Sequence, residues 1–125
     1  MKALSVRQPH ADRIARGRKI HEFRTWTTDY RGPLLIAAAL TPPARKRRGA
    51  ACLRFPRGVA VAVVDLVDIV ASDVLTPDGS RPAMYAWVLA NARRVEPIPV
   101  RGRQGLFDAL VWFHPDGSLA MMAAP

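Results

Sequence analysis

Leu34 to Leu40 is an unbroken apolar run with turn formers on both sides, Gly32-Pro33 before it and Pro42-Pro43 after it. A short, uniformly apolar segment bounded in this way reads as a strand buried on both faces. A second stretch, Val59 to Val70, is rich in β-branched residues but is interrupted by Asp65 and Asp68. Valine and isoleucine suit the pleated backbone, and a bulge or bend lets two aspartates leave the core without ending the strand. It reads as the central strand of a sheet.

Most of the polar chemistry is packed into Leu4 to Gly32. Lys2 to Val6 reads as a short strand, and Pro9 suits the first turn of a helix, because an N–H at that position has no helical partner anyway. Ala11, Ile14 and Ala15 recur at spacings of three and four and give a short helix a narrow apolar face. Gly17 suits the left-handed residue that ends a helix. From Lys19 the period changes to two, so Ile20, Glu22, Arg24 and Trp26 share one face and His21, Phe23 and Thr25 the other. Charges stand here where a core strand carries apolar side chains, and that conflict marks the segment as the candidate site.

Around these elements the chain is punctuated by turns. Tyr30-Arg31-Gly32-Pro33 is one; Phe55-Pro56-Arg57-Gly58 is another; Thr76 to Ser80 and His114 to Ser118 are near copies of a Pro-Asp-Gly-Ser signal. Pro42-Pro43 followed by Ala44, Arg45, Lys46, Arg47 and Arg48 opens a second short helix or a basic loop, with four adjacent cations exposed in either case. Met84 to Val95 alternates as a strand with Trp87, Leu89, Asn91 and Arg93 on one face, and Glu96-Pro97-Ile98-Pro99 is expected to end it. Arg101-Gly102-Arg103-Gln104-Gly105 is a basic glycine loop whose N–H groups can cradle a phosphate, and Leu106 to Phe113 is a short apolar element. Five or six strands with one or two short helices predict an α+β fold, a mixed but mostly antiparallel barrel, closed or partly closed, rather than a parallel α/β sheet.

The 125 residues, half of them hydrophobic, are the size of one domain over 1–125 and can bury roughly two thirds of their unfolded surface. There is no charged and then apolar leader, no apolar run near the ~20 residues that span a bilayer, and one cysteine, Cys52. The chain reads as cytoplasmic and free of disulfides. The three histidines and Cys52 lack the spacings of a zinc site, and no nucleophile elbow, P-loop or dinucleotide fingerprint is present, so neither a metal nor a cofactor is expected. The charge is one-sided: residues 1 to 64 hold fourteen Lys or Arg against three acids, and residues 65 to 125 five against seven, which leaves +11 and −2. Sixteen of the nineteen cations are arginine, whose planar fork suits phosphate and stacks on bases. That is the footprint of a polyanion binder.

Ser5-Val6-Arg7-Gln8-Pro9-His10-Ala11, then Gly17-Arg18-Lys19 with Glu22 and Arg24, then Tyr30-Arg31-Gly32-Pro33, resemble the signature of the ASCH family, small domains with a PUA-like β-barrel. The apolar strand after it, Val59 to Val70, Ala86-Trp87-Val88-Leu89 and Gly102-Arg103-Gln104-Gly105-Leu106 follow in the family's order. The resemblance implies a basic cleft beside the first helix, used for RNA or nucleic-acid binding and, in some members, for hydrolysis of a modified cytidine or of RNA. Where the family usually has Trp or Tyr after Gln-Pro, this chain has His10.

The residues expected to meet nucleic acid are Gln8, His10, Lys19, Arg24, Tyr30, Arg31, Arg45, Lys46, Arg47, Arg48 and Arg103. Gln8 can offer its amide to a base edge, His10 can stack or titrate, and Tyr30-Arg31-Gly32 sets an aromatic, a cation and a close-approach backbone side by side. Glu22 and Arg24 form an ion pair if their face looks into the barrel. In an enzymatic reading Lys19 and Glu22 are catalytic, with Lys19 moving a proton. The family's amidohydrolases for N4-acetylcytidine use a lysine, a threonine and a glutamate. Only the lysine is matched, by Lys19; Glu22 stands at the threonine's place, and Asp73 and Asp78 are the only acids where the glutamate is expected. A ribonuclease using the same cleft is the third reading. With an incomplete catalytic set, binding of RNA or single-stranded nucleic acid is favoured. If about four phosphates are contacted, log affinity falls with log salt at a slope of roughly −3. Neutralising Arg45, Lys46, Arg47 and Arg48 together is expected to flatten that slope in a salt titration, and an unchanged slope would move the binding surface elsewhere.

Overall fold

The structure, a computed structural model, describes residues 1–40, 55–72, 85–113 and 119–121. In chain order these form β1 (Lys2–Val6), α1 (His10–Ala15), β2 (His21–Arg24), β3 (Gly32–Ala38), β4 (Val59–Ala71), β5 (Tyr85–Pro99), β6 (Leu106–Asp108), β7 (Val111–Phe113) and β8 (Leu119–Met121). Six strands make one mixed sheet in the order β2-β5-β4-β3-β1-β6, and β7 pairs with β8. Within the six-stranded sheet, β1 and β3 run parallel and every other pair is antiparallel. The sheet curls into a half-barrel, and Arg24 of β2 donates to the Ser5 carbonyl of β1 at 2.7 Å, although these strands are not neighbours in the sheet.

β3 has apolar layers on both sides, as its sequence requires. Leu34, Ile36 and Ala38 join the concave core with Leu4, Val6, Val64, Leu66, Trp87 and Leu89. Leu35 and Ala37 join the convex core with Ala3, Ala60, Val63, Phe107 and Val111. Burying each of the larger aliphatic side chains is worth about 1.5–3 kcal/mol, so a strand that feeds two cores is the main support of the fold. Leu40 lies beyond the strand and is exposed, against the expectation that the buried run would reach it. β4 is central, between β3 and β5. Its register shifts between Ala60 and Ala62, between Val63 and Asp65 and between Leu66 and Asp68. These irregularities carry Asp65 to Arg93, at 2.9 Å, and let Asp68 reach solvent.

The helix has six residues, too few to be stable alone. Ala11, Ile14 and Ala15 bury its inner face on the concave core, and both of its ends are tied. At the start, the Asp12 N–H donates to Gln8 Oε1 at 2.9 Å and Gln8 Nε2 donates to the Pro56 carbonyl at 2.8 Å. At the end, the Arg18 N–H donates to Arg13 O at 2.9 Å and the Gly17 N–H to Ile14 O at 3.0 Å, with Gly17 at φ 72°. This is a Schellman closure, which a residue without Cβ adopts at least cost.

Two elements differ from the sequence reading. β5 runs through Pro97 to Pro99 rather than ending at Val95. The Val100 N–H donates to Gly58 O at 3.1 Å, so alternate residues point their N–H at β4, while Pro97 and Pro99 sit where an N–H would point away. On that side β2 pairs only with Tyr85 to Val88, so a missing donor costs little. The single element over Leu106 to Phe113 divides into β6 and β7, and the Met1 amino group donates to the carbonyls of Ala109 and Val111 at the break. The Pro42 to Arg48 segment, both Pro-Asp-Gly-Ser turn signals and Cys52 lie outside the described residues.

Ser5 Oγ is buried with no hydrogen-bond partner, and a Cβ at Gly102 would sit 2.6 Å from it. Gly102→Ala is therefore expected to cost about 1–3 kcal/mol by overpacking. Ser5→Ala removes the orphan oxygen and is expected to be neutral or stabilising. In that background Gly102→Ala should approach neutrality, since the next atom, the Ser5 Cβ, is 3.7 Å away. Thermal melts of the two single variants and the double variant test this; an equal loss from Gly102→Ala in both backgrounds would show that the hydroxyl is not what limits the approach.

Candidate nucleic-acid interface

Glu22 stands opposite Trp87 and Arg24 opposite Tyr85 in the β2/β5 ladder. Opposite residues of an antiparallel pair share a face. Trp87 and Tyr85 both belong to the concave core, so Glu22 and Arg24 also face the concavity. Trp26 shares that face and packs edge-on against Trp87, with ring centroids 4.7 Å apart, while Trp87 Nε1 donates to the Trp26 carbonyl at 3.2 Å. Ile20 does not join them: it precedes β2, is 53% exposed, and offers its carbonyl to the Leu89 N–H at 2.8 Å.

The centre of the site is the Glu22 carboxylate, 5% exposed. A carboxylate at that depth needs partners, and it has three. Lys19 Nζ lies 3.1 Å from Oε1, the Phe23 N–H donates to the same oxygen at 3.2 Å, and the Arg24 guanidinium lies 3.3 Å from Oε2. Lys19 is aimed there by the helix ending, its own N–H donating to Arg13 O at 3.2 Å. The same Nζ is 3.3 Å from His10 Nδ1. His10, Lys19, Glu22 and Arg24 thus make one connected cluster beside the first turn of α1, with two cations for one carboxylate. Lys19 and Arg24 keep 15% and 23% of their side-chain surface, which leaves both within reach of solvent.

The other predicted residues are placed differently. Gln8 is 1% exposed, and its amide accepts from the Asp12 N–H and donates to Pro56 O, so it organises the helix start. Tyr30 packs on the concave core and donates to the Pro33 carbonyl. Burial pushes its phenol above the usual range, Lys2 opposing and Asp65 adding to the effect. Arg31 donates to the carbonyls of Thr28 and Tyr30 at 2.9 and 2.8 Å and faces Asp68 at 3.9 Å, closing the turn before β3. Neither residue contacts the Lys19 cluster among the described residues. Arg103 is exposed on the loop whose Gly102 meets the Ser5 hydroxyl. Ser5 alternates with Leu4 and Val6 and pairs with Ala37, so its hydroxyl is on the convex side and Arg103 is joined to the cluster only across β1. Arg45, Lys46, Arg47, Arg48, Asp73 and Asp78 lie outside the described residues. Among the described residues no group of three or more His, Cys, Asp or Glu is placed to hold a metal ion, and no helix is long and apolar enough to cross a membrane. Sequence reasoning missed Ser5 as Arg24's partner, because the contact is to a backbone carbonyl and leaves no mark in the residue type.

A half-barrel of mixed strands with one short helix over its concave core is a PUA-like α+β fold. The chain belongs to the ASCH domain family, whose model matches residues 4–99. Two solved structures similar in fold are mutant proteins of ZmASCH from Zymomonas mobilis, one with a tyrosine changed to phenylalanine and the other with a serine changed to alanine. Each has a TM-score of 0.61 at 15% identity over 92% of this chain, covering 91% and 89% of the respective neighbour. No curated protein is significantly similar to the chain.

Because Glu22 has a cation on each oxygen, removing one leaves the other in place. Lys19→Met and Arg24→Met are each expected to cost about 1–3 kcal/mol. The double variant leaves a buried carboxylate uncompensated and is expected to exceed the sum of the two. Repeating the cycle with Gln at position 22 should abolish that excess. Denaturant titrations provide the values, and additive losses with Glu22 in place would mean that the carboxylate is not the shared partner.

Proposed function

We propose that this chain binds RNA or single-stranded nucleic acid at the concave cleft beside α1, with Lys19, Arg24 and His10 as the inner contacts. The observation that carries the reading is the state of Glu22. Both carboxylate oxygens accept from a cation and one also accepts a backbone N–H. A carboxylate so occupied holds two cations at the cleft and is poorly disposed to take a proton from water or substrate. Lys19 Nζ and the Arg24 fork then offer donors to a phosphate or a base edge, with the His10 imidazole beside Lys19 at 3.3 Å as a further polar contact. The one-sided charge of the chain and the nucleic-acid binding implied by the ASCH resemblance support the same reading.

Lys19→Arg separates a binder from an amidohydrolase, since it keeps the charge and removes the readily transferred proton. The variant is expected to keep oligonucleotide affinity within about threefold of the parent, a change of under 1 kcal/mol. The parent is expected to leave N4-acetylcytidine intact when the nucleoside is followed by mass spectrometry. Rapid deacetylation by the parent that disappears in Lys19→Arg would replace binding with hydrolysis as the function of the cleft.

A further inference from the structure

An open depression lies where α1 ends, lined by Ala15, Arg16, Gly17, Arg18, Ala92 and Arg94. It adjoins the Lys19 cluster through the chain itself: Arg18 forms part of its wall, and the next side chain turns into the cluster. It also lies on the same side of the sheet. Arg94 pairs with Ala62, a residue of the concave core, as Glu22 pairs with Trp87.

Its chemistry is that of a phosphate-binding surface without base recognition. Three arginines face a depression whose other lining residues are two alanines and a glycine, so no aromatic ring is available for stacking and no amide for reading a base edge. Arg16 is bridged to Asp12 at 2.8 Å. Arg18 and Arg94 have no ion-pair partner among the described residues. Gly17 leaves the backbone bare, with nothing within 4 Å of where a Cβ would stand, so a sugar–phosphate chain can approach closely.

We infer that this depression is a sequence-neutral track for the phosphate backbone of single-stranded nucleic acid, carrying the strand away from the Lys19 cluster past the end of α1. The inference rests on the binding function proposed above. It assigns Arg18 and Arg94 the phosphate contacts outside the cleft, leaving the cluster to hold one nucleotide. Affinity therefore grows with strand length because of the track, and a mononucleotide does not feel it.

The experiment compares the parent chain with Arg18→Gln/Arg94→Gln. Fluorescence anisotropy is measured against labelled oligo-U and oligo-dT of about twelve nucleotides over a series of salt concentrations, with uridine monophosphate as competitor. Losing two single-strand phosphate contacts should flatten the log–log salt slope by about 1.4 and weaken binding on the order of tenfold at about 0.1 M salt, equally for both sequences. Inhibition by the mononucleotide and the melting temperature should be unchanged. A parent that binds oligonucleotide with a slope the double variant does not alter would overturn the track while leaving the binding function intact. A parent that binds neither oligonucleotide would overturn both. Loss that is confined to one of the two sequences would also overturn the track, because it would mean that these arginines read bases. Binding of the parent to vesicles of anionic phospholipid that depends on Arg18 and Arg94, with the oligonucleotide slope unmoved, would reassign the surface to membranes.

Discussion

The cluster at the helix depends on one buried charge. Glu22 sits on the concave side of β2 beside Trp87, where an isolated carboxylate would be costly. Its two cations come from different places, Lys19 from the turn that ends α1 and Arg24 from β2 itself. Arg24 then reaches Ser5 O on β1. One carboxylate therefore links the helix, the edge strand β2 and the parallel strand β1, which are not sheet neighbours. The ion pairs that offset burial also fix two donors beside the first helix.

Much of this is legible in the residues, and the misses share a cause. The period of two after Lys19 puts Glu22, Arg24 and Trp26 on one face, and the unbroken apolarity of Leu34 to Ala38 requires cover on two sides; both follow from local geometry. The ends of elements are decided by distant partners. Pro97 and Pro99 are tolerated in β5 because the donor each lacks would have faced away from β4. Gln8 turns inward because Pro56, far along the chain, offers its amide an acceptor. Arg31 closes its own turn through the carbonyls of Thr28 and Tyr30, partners that its residue type does not announce. A residue type states what a side chain can do, while the fold decides which of its partners are already taken.

The charge asymmetry also takes a physical form in the fold. Several acids are engaged one to one, Asp12 with Arg16, Asp65 with Arg93, Asp108 with Lys2. Surface pairs of this kind contribute little to stability, about 0–1 kcal/mol each. Their larger effect is to cancel some cations and leave others, such as Arg18 and Arg94, as the net field. A polyanion is drawn to that residual field rather than to the total charge.

The contact between β2 and β1 has a dynamic consequence. Among the described residues, neighbouring strands of the sheet are joined by ladders of backbone hydrogen bonds, while this seam is spanned by a side-chain bond from Arg24 to a carbonyl. A charge-assisted bond is worth about 1.5–3 kcal/mol, well below the global stability of a domain this size. A seam held by one side-chain bond is expected to open before the backbone ladders around β3. Any anion that captured Arg24 would compete directly with Ser5 O for the same guanidinium, and so would loosen the seam.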